Sequence, residues 1–193
     1  MPRIAAATVA ENRELRRESL LAAAATLLQR QGAFTVAEVA QEVGLSRSAV
    51  YEYYSSAAEL IADVVVDELA AWVKILEQAT LEGVVPEQRR RAWTDTVLDY
   101  VADGRHALLR AAARVEVPDA RRAEMGVLHQ AMVAPLVRAL ADEGLPDPAL
   151  TARYVYGVLA VAIDRIEIDR ADPDVEHAAA VAFIDAAIAG QKA

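Results

Sequence analysis

Val36, Val39, Ala40 and Val43 fall at i, i+3, i+4 and i+7, the spacing of one face of a short helix, and Gly44 follows where that helix must end. Glycine accepts the left-handed backbone that closes a last turn without the steric cost of a Cβ. Ser46 then offers a side-chain oxygen to cap a second helix, whose inward residues are expected to be Ala49, Val50, Tyr53 and Tyr54. Leu45 plugs the turn, and Ala40 is small enough to let the two helices approach. Short helices joined through a Gly turn cross steeply, so Thr35 to Leu60 predicts a helix-turn-helix whose second helix projects its outer face. A packing corner with no ligand would share part of this pattern. The outer face points the other way: Ser46, Arg47, Ser48 and Tyr51 gather hydroxyls and a guanidinium at the end of the helix that enters a major groove.

From Leu20 to Leu60 the chain resembles the DNA-binding region of the TetR family of transcriptional regulators. The resemblance rests on Leu20, Leu21 and Ala24 leading to Gly32, then Thr35, Val39-Ala40, Gly44-Leu45-Ser46, Tyr51-Glu52-Tyr53-Tyr54 and Glu59-Leu60. It implies phosphate contacts from Thr35, Ser46, Tyr51 and Tyr53, base reading by Arg47 and Ser48, and a packing role for Tyr54 where Phe is usual. Three features depart from the family pattern. Ala57 stands where a Lys usually meets a phosphate, Glu52 adds a carboxylate beside the backbone, and the loop from Gly32 to Thr35 is short. Together they lower the phosphate contribution to be expected.

Composition bounds the rest. The 193 residues are 55% hydrophobic and 25% charged, enough for a folded core, and abundant Ala with only 5% aromatics favours closely packed helices over sheets. No cysteine is present, so disulfides and thiolate metal sites are excluded, in keeping with a cytoplasmic protein. The first ten residues are too brief and the following ones too charged for a secretory signal, and Asp164 and Asp185 interrupt the best apolar runs, so no membrane span is expected. The net charge of −9 is an unexpected sign for a DNA binder. Within residues 1–56, Arg3, Arg13, Arg16, Arg17, Arg30 and Arg47 balance Glu11, Glu14, Glu18, Glu38, Glu42 and Glu52, so the remainder carries the whole excess. An acidic body could orient a neutral head toward DNA, or the acid could serve solubility alone.

Taken in order, a first helix is expected from Glu11 to Gln31, with Leu20, Ala23, Ala24 and Leu27 inward. Arg13, Arg16 and Arg17 at its start could reach phosphates or form a solvated face, and Arg3 could enter a minor groove. A long fourth helix from Ala57 to Leu81 turns Leu60, Ile61, Val64, Val65, Leu69, Trp72, Val73 and Leu76 inward, and Gly83 to Pro86 breaks it. Further helices follow over Glu87–Ala102, with Arg89, Arg90 and Arg91 as a solvated patch, then Arg105–Val115, and one capped by Asp119 and running to Gly144. Asp147-Pro148 and Asp172-Pro173 each pair an N-cap with a proline at the first helical position. The two helices they open are apolar nearly all round, with Val155, Val158, Leu159, Ala162 and Ile163 on one and Ala178, Val181, Ala182 and Ile184 on the other. A helix without a polar face needs cover on both sides, which a second subunit can supply. The dimer interface is therefore expected at Val155, Val158, Leu159, Ala162, Val181 and Ala182.

The expected architecture is all-α with about nine helices: a three-helix helix-turn-helix head over 1–56 and a helical-bundle body over 57–193. Trp72, Trp93, Tyr100, Met125, His129 and Met132 could line a pocket among helices four to seven, as the family resemblance implies, or be plain core. His106 and Arg110, one turn apart, could orient an anionic group. The three histidines stand apart, so no metal is expected, and no Ser-His-Asp set, Gly-rich phosphate loop or close carboxylate pair suggests an enzyme or a cofactor. The reading is a dimeric regulator, a repressor released from a near-palindromic double-stranded DNA operator by a small-molecule effector of unknown identity. The rival is a helical ligand-binding or interaction protein whose head has weak or lost DNA affinity.

Overall fold

The computed structural model describes residues 9–81 and 85–192, and nine α-helices are found among them. They are α1 Val9–Gln31, α2 Val36–Glu42, α3 Arg47–Tyr51, α4 Ala57–Leu81, α5 Pro86–Ala102, α6 His106–Ala112, α7 Asp119–Asp142, α8 Pro148–Glu167 and α9 Pro173–Lys192. No strand occurs among the described residues, so the fold is all-α. None of these helices is long and apolar enough to cross a membrane. The expectations placed on Arg3 and Gly83 fall outside the described residues.

Capping explains where the helices begin. Thr35 and Glu38 form a capping box: the Thr35 hydroxyl accepts from Glu38 N while Thr35 N donates to Glu38 Oε2 at 2.7 Å. Ser46 Oγ accepts from Ala49 N at 3.2 Å to start α3, and Ser56 Oγ accepts from Glu59 N at 3.1 Å to start α4. Asp147 caps α8 through Leu150 N at 2.9 Å with Pro148 in the first turn, and Asp172 accepts from Asp174 N before α9. Gly44 ends α2 at φ +68, with Leu45 N donating to Ala40 O at 2.9 Å.

Three boundaries differ from the sequence reading. α3 ends at Tyr51, so Tyr53 and Tyr54 lie beyond it in a turn, both amides donating to Val50 O. α6 stops at Ala112 because the chain tightens into three-residue turns, with Arg114 N on Ala111 O and Val115 N on Ala112 O. Asp119 is the first residue of α7, not its cap; the amides of Arg121 and Arg122 donate to Pro118 O instead.

The chain forms two compact units, Met1–Asp67 with Leu108–Ala123, and Glu68–Ala107 with Glu124–Ala193. In the first, α1 packs on α2 and α2 on α3 around Leu20, Ala24, Leu28, Val39, Val50 and Leu60, all buried. In the second, α8 and α9 pack on each other and on α5, around Trp93, Leu98, Leu136, Leu140, Leu159 and Ile184. Arg90 is no part of a solvated patch. Its side chain is 3% exposed and pairs with Glu143 at 2.8 Å and Asp185 at 2.7 Å, and Lys192 joins through Glu143. Three consecutive arginines look alike in sequence, but Arg90 is buried, Arg89 is half-buried with its guanidinium on Asp142 of α7 at 2.9 Å, and only Arg91 stays exposed.

Candidate nucleic-acid interface and the surfaces of the body

The helix-turn-helix is assembled as its residues require. Val39, Ala40 and Val50 are buried between α2 and α3, Leu45 is half-buried in the turn, and Ser46, Arg47, Ser48 and Tyr51 stand exposed. Arg47 and Tyr51, one turn apart, are held together: Arg47 Nη2 donates to Tyr51 Oη at 3.2 Å, and the guanidinium lies 5.6 Å from the ring centre. Ser46 and Ser48 share a hydrogen bond of 3.0 Å. Tyr53 is half-buried with the Arg13 guanidinium over its ring at 5.1 Å. Thr35 is the exception, since its hydroxyl donates to Glu38 Oε2 at 2.8 Å while serving as the cap. Those hydrogen bonds from Thr35 hold Glu38 below the usual carboxylate range. At the start of α4, Ser55 N and Oγ both donate to Glu59 Oε2, at 2.8 and 2.7 Å, and lower that carboxyl in the same way.

A polar centre that the sequence reading did not single out braces this head. The Asp63 side chain, 7% exposed, accepts from Arg17 at 3.2 Å and from Tyr54 Oη at 3.2 Å, and pairs with Arg121. Tyr54 therefore packs as expected, and its hydroxyl has a definite task. Burial pushes the Tyr54 phenol up, with the Asp63 charge adding to it. Burial alone would lower the Arg17 guanidinium, but its hydrogen bonds to Asp63 and Glu14 and the nearby Tyr54 and Asp67 together more than offset that, so it stays charged. Arg17 is thus a structural tie, whereas Arg16 remains exposed. The available signal was Asp63 itself, an acid on the inward stripe of an apolar helix.

The residues proposed for a body pocket separate into groups. Trp72 and Tyr100 stack at 4.3 Å between ring centres, and Tyr100 Oη donates to Glu68 at 2.5 Å under the Arg105 guanidinium. Trp93 Nε1 donates to Met132 O at 2.9 Å, both side chains being buried. His106 lies 3.1 Å from Glu167, Arg110 falls in the other compact unit, and Met125 is half-buried. His129 is exposed and meets the edge of Tyr156 at 5.3 Å. Trp72 Nε1 is buried without an acceptor among the described residues. No group of three or more His, Asp or Glu suited to a metal ion occurs among them.

Of the six residues expected at a dimer interface, Val155, Leu159, Ala162 and Val181 are buried inside the chain's own core, Val158 is half-buried and Ala182 is exposed. The apolar surface left outside is a different stripe. Leu150, Tyr154 and Val161 mark it on α8, and Val175, Ala182 and Phe183 on α9; Tyr154, Val161, Val175 and Phe183 are each at least 60% exposed. A helix apolar all round does not reveal by periodicity which side meets its own subunit.

A helix-turn-helix with an outward Arg-Ser-Tyr face, followed in the chain by a long helix and further helices, is the architecture of a DNA-binding head on an all-α chain. Residues 20–64 match the model of the family described as bacterial regulatory proteins, tetR family, so the chain carries a TetR-family head. The fold of the whole chain is similar to a protein of Mesorhizobium loti provisionally assigned as a TetR-family transcriptional regulator: TM-score 0.71, 20% identity, 92% of this chain and 97% of that one. It is also similar to the TetR-family regulator PfmR of Thermus thermophilus, with TM-score 0.66 and 21% identity over 93% and 95% of the two chains. A third is the transcriptional regulator FadR of Bacillus subtilis in complex with stearoyl-CoA, with TM-score 0.70 and 14% identity over 90% and 98%. At these identities the likeness establishes the fold. No curated protein matches the chain.

Proposed function

We propose that the protein is a cytoplasmic, ligand-responsive DNA-binding regulator, and that it is a repressor released from a near-palindromic operator by a small molecule. The observation that carries this reading is the exposed outer face of α3, where the paired Arg47 and Tyr51 stand beside Ser48 on a TetR-family head. Arg47 suits a guanine edge and Ser48 either base type, whereas Ser46, Tyr51 and Tyr53 suit phosphates that set register. Thr35 joins them only if DNA competes for the hydroxyl now given to Glu38. In this reading residues 1–56 read DNA, and residues 57–193 hold the effector and the dimer surface.

The effector reading is supported by the buried Trp72 Nε1, a donor left without an acceptor beside the Tyr100 ring. The dimer reading is supported by the outward stripes of α8 and α9, whose burial against a second copy at roughly 25 cal/mol per Å² would hold a symmetric four-helix seam. Two-fold symmetry then calls for half-sites about one helical turn, ~34 Å, or a multiple apart.

One observation favours the rival reading of a ligand-binding or interaction protein with a silent head. Carboxylates occupy donors where phosphates would dock: Glu38 takes the Thr35 hydroxyl and Glu59 takes Ser55 N, with Ala57 adding no cation. Binding to a genomic DNA fragment pool across a salt series separates the two. The regulator reading expects selected fragments and an affinity that falls as salt rises. Failure to retain any fragment even at low salt would leave the rival standing.

A further inference from the structure

A groove of about 630 Å³ runs between α7 and α8, within the size range of small-molecule sites. Its floor is aliphatic, made by Val133, Ala134 and Val137 of α7 and Ala152 of α8. His129 and Tyr156, edge to face at 5.3 Å, add an aromatic wall. Arg138 from one helix and Arg153 from the other line the same groove, both exposed, and no acidic residue lines it. We propose that this groove binds an amphipathic organic anion, a carboxylate carried on an aliphatic or aromatic body.

Charge carries the argument. The chain has 29 acidic against 20 Lys and Arg residues, and other arginines of this unit are tied to acids: Arg89 to Asp142, Arg90 to Glu143, Arg91 to Asp185 and Arg165 to Glu176. Arg138 and Arg153 make no ion pair among the described residues. Arg138 also borders a smaller cavity with Glu77, again without pairing. Two unmatched guanidiniums, one on each side of an apolar floor, are complementary to one negative head on an apolar body. A guanidinium engages a carboxylate through two parallel hydrogen bonds, which sets the head group, and the Val and Ala floor removes apolar surface of the remainder from water. A neutral molecule would use only the floor. The binding stands on the groove itself; its regulatory consequence rests on the effector reading above.

Calorimetric titration of the full-length protein with n-decanoate and with 4-phenylbutyrate tests the site, with decanol as the neutral counterpart of decanoate. Saturable binding of at least one carboxylate, one per chain, is expected. Arg138→Gln and Arg153→Gln should each weaken it about tenfold, and decanol should bind more weakly than decanoate. Val137→Trp, which fills the floor, should abolish it. Absence of saturable binding by both carboxylates would overturn the proposal, as would binding unchanged by both arginine substitutions. Carboxylate affinity unchanged in Val137→Trp while the dimer dissociates would assign the groove to a second copy and overturn it equally. Salt-dependent DNA binding is measured in parallel without carboxylate. Its persistence alongside failed carboxylate binding removes the groove site alone, and its absence in the wild type removes the regulator reading alone.

Discussion

Arg47 and Tyr51 are held in one arrangement before any DNA arrives, and this sets what each substitution should do. Arg47→Ala is expected to lose discrimination between operator and mismatched sites by about 1–3 kcal/mol, the value of a bidentate base contact. Tyr51→Phe should weaken all sequences alike, because a phosphate contact carries no base information. Binding to a small panel of single-base operator variants checks both; an unchanged preference order in Arg47→Ala would show that α3 does not face the bases. Arg90 makes a different point at the same scale. Burial alone would lower its guanidinium, but Asp185 and Glu143 more than offset that and keep it charged. Arg90→Ala leaves the Glu143 side chain, 2% exposed, with Lys192 as its remaining cation, so a loss of about 3 kcal/mol in urea unfolding is expected. A loss below about 1 kcal/mol would mean that water already reaches the pair.

At the scale of elements, carboxylates close the starts of two helices of the head, Glu38 on Thr35 at α2 and Glu59 on Ser55 at α4. Hydrogen bonds from Thr35 and Ser55 lower Glu38 and Glu59 relative to free carboxyls. Since the folded-state pKa lies below the unfolded one, the ionised form favours the fold. That stability is fully present above the unfolded value, ~4.3, and is lost as pH falls through the lower folded value. Circular dichroism melts of Glu38→Gln and Glu59→Gln should therefore show a lower Tm at pH 7 and a flatter decline below about pH 4.3. An acid profile identical to the wild type would remove the caps from the account. The same termini bear on function, because Ala57 occupies the first turn of α4. Ala57→Lys should tighten DNA binding and steepen its dependence on salt by about one phosphate contact. An unaltered salt slope would place the start of α4 away from the DNA backbone.

At the scale of the whole molecule, the proposed dimer is the testable unit. Val158 is half-buried and Ala182 exposed, so a charge at either can reach the outer side of α8 or α9 without opening the subunit's own core. Val158→Asp or Ala182→Glu is expected to give a monomer that has lost operator affinity while the head stays folded. Light scattering with operator titration checks this, and a monomeric variant retaining full operator affinity would refute the seam. Composition, periodicity and cap residues by themselves determined the all-α class, the α4 span and the starts of α2, α3, α8 and α9, because these follow from local spacing and from side chains bonding backbone a turn away. The helix-turn-helix was legible for the same reason: Gly44, Leu45 and Ser46 act within a few residues of one another. Only tertiary packing decided that Arg90 lies inside while Arg91 stays exposed, that Asp63 gathers Arg17, Tyr54 and Arg121, and that α8 turns Val155 and Leu159 inward but leaves Tyr154 and Val161 outside. Each of these depends on which distant element supplies the partner charge or the covering surface, and spacing along a single helix carries no record of that.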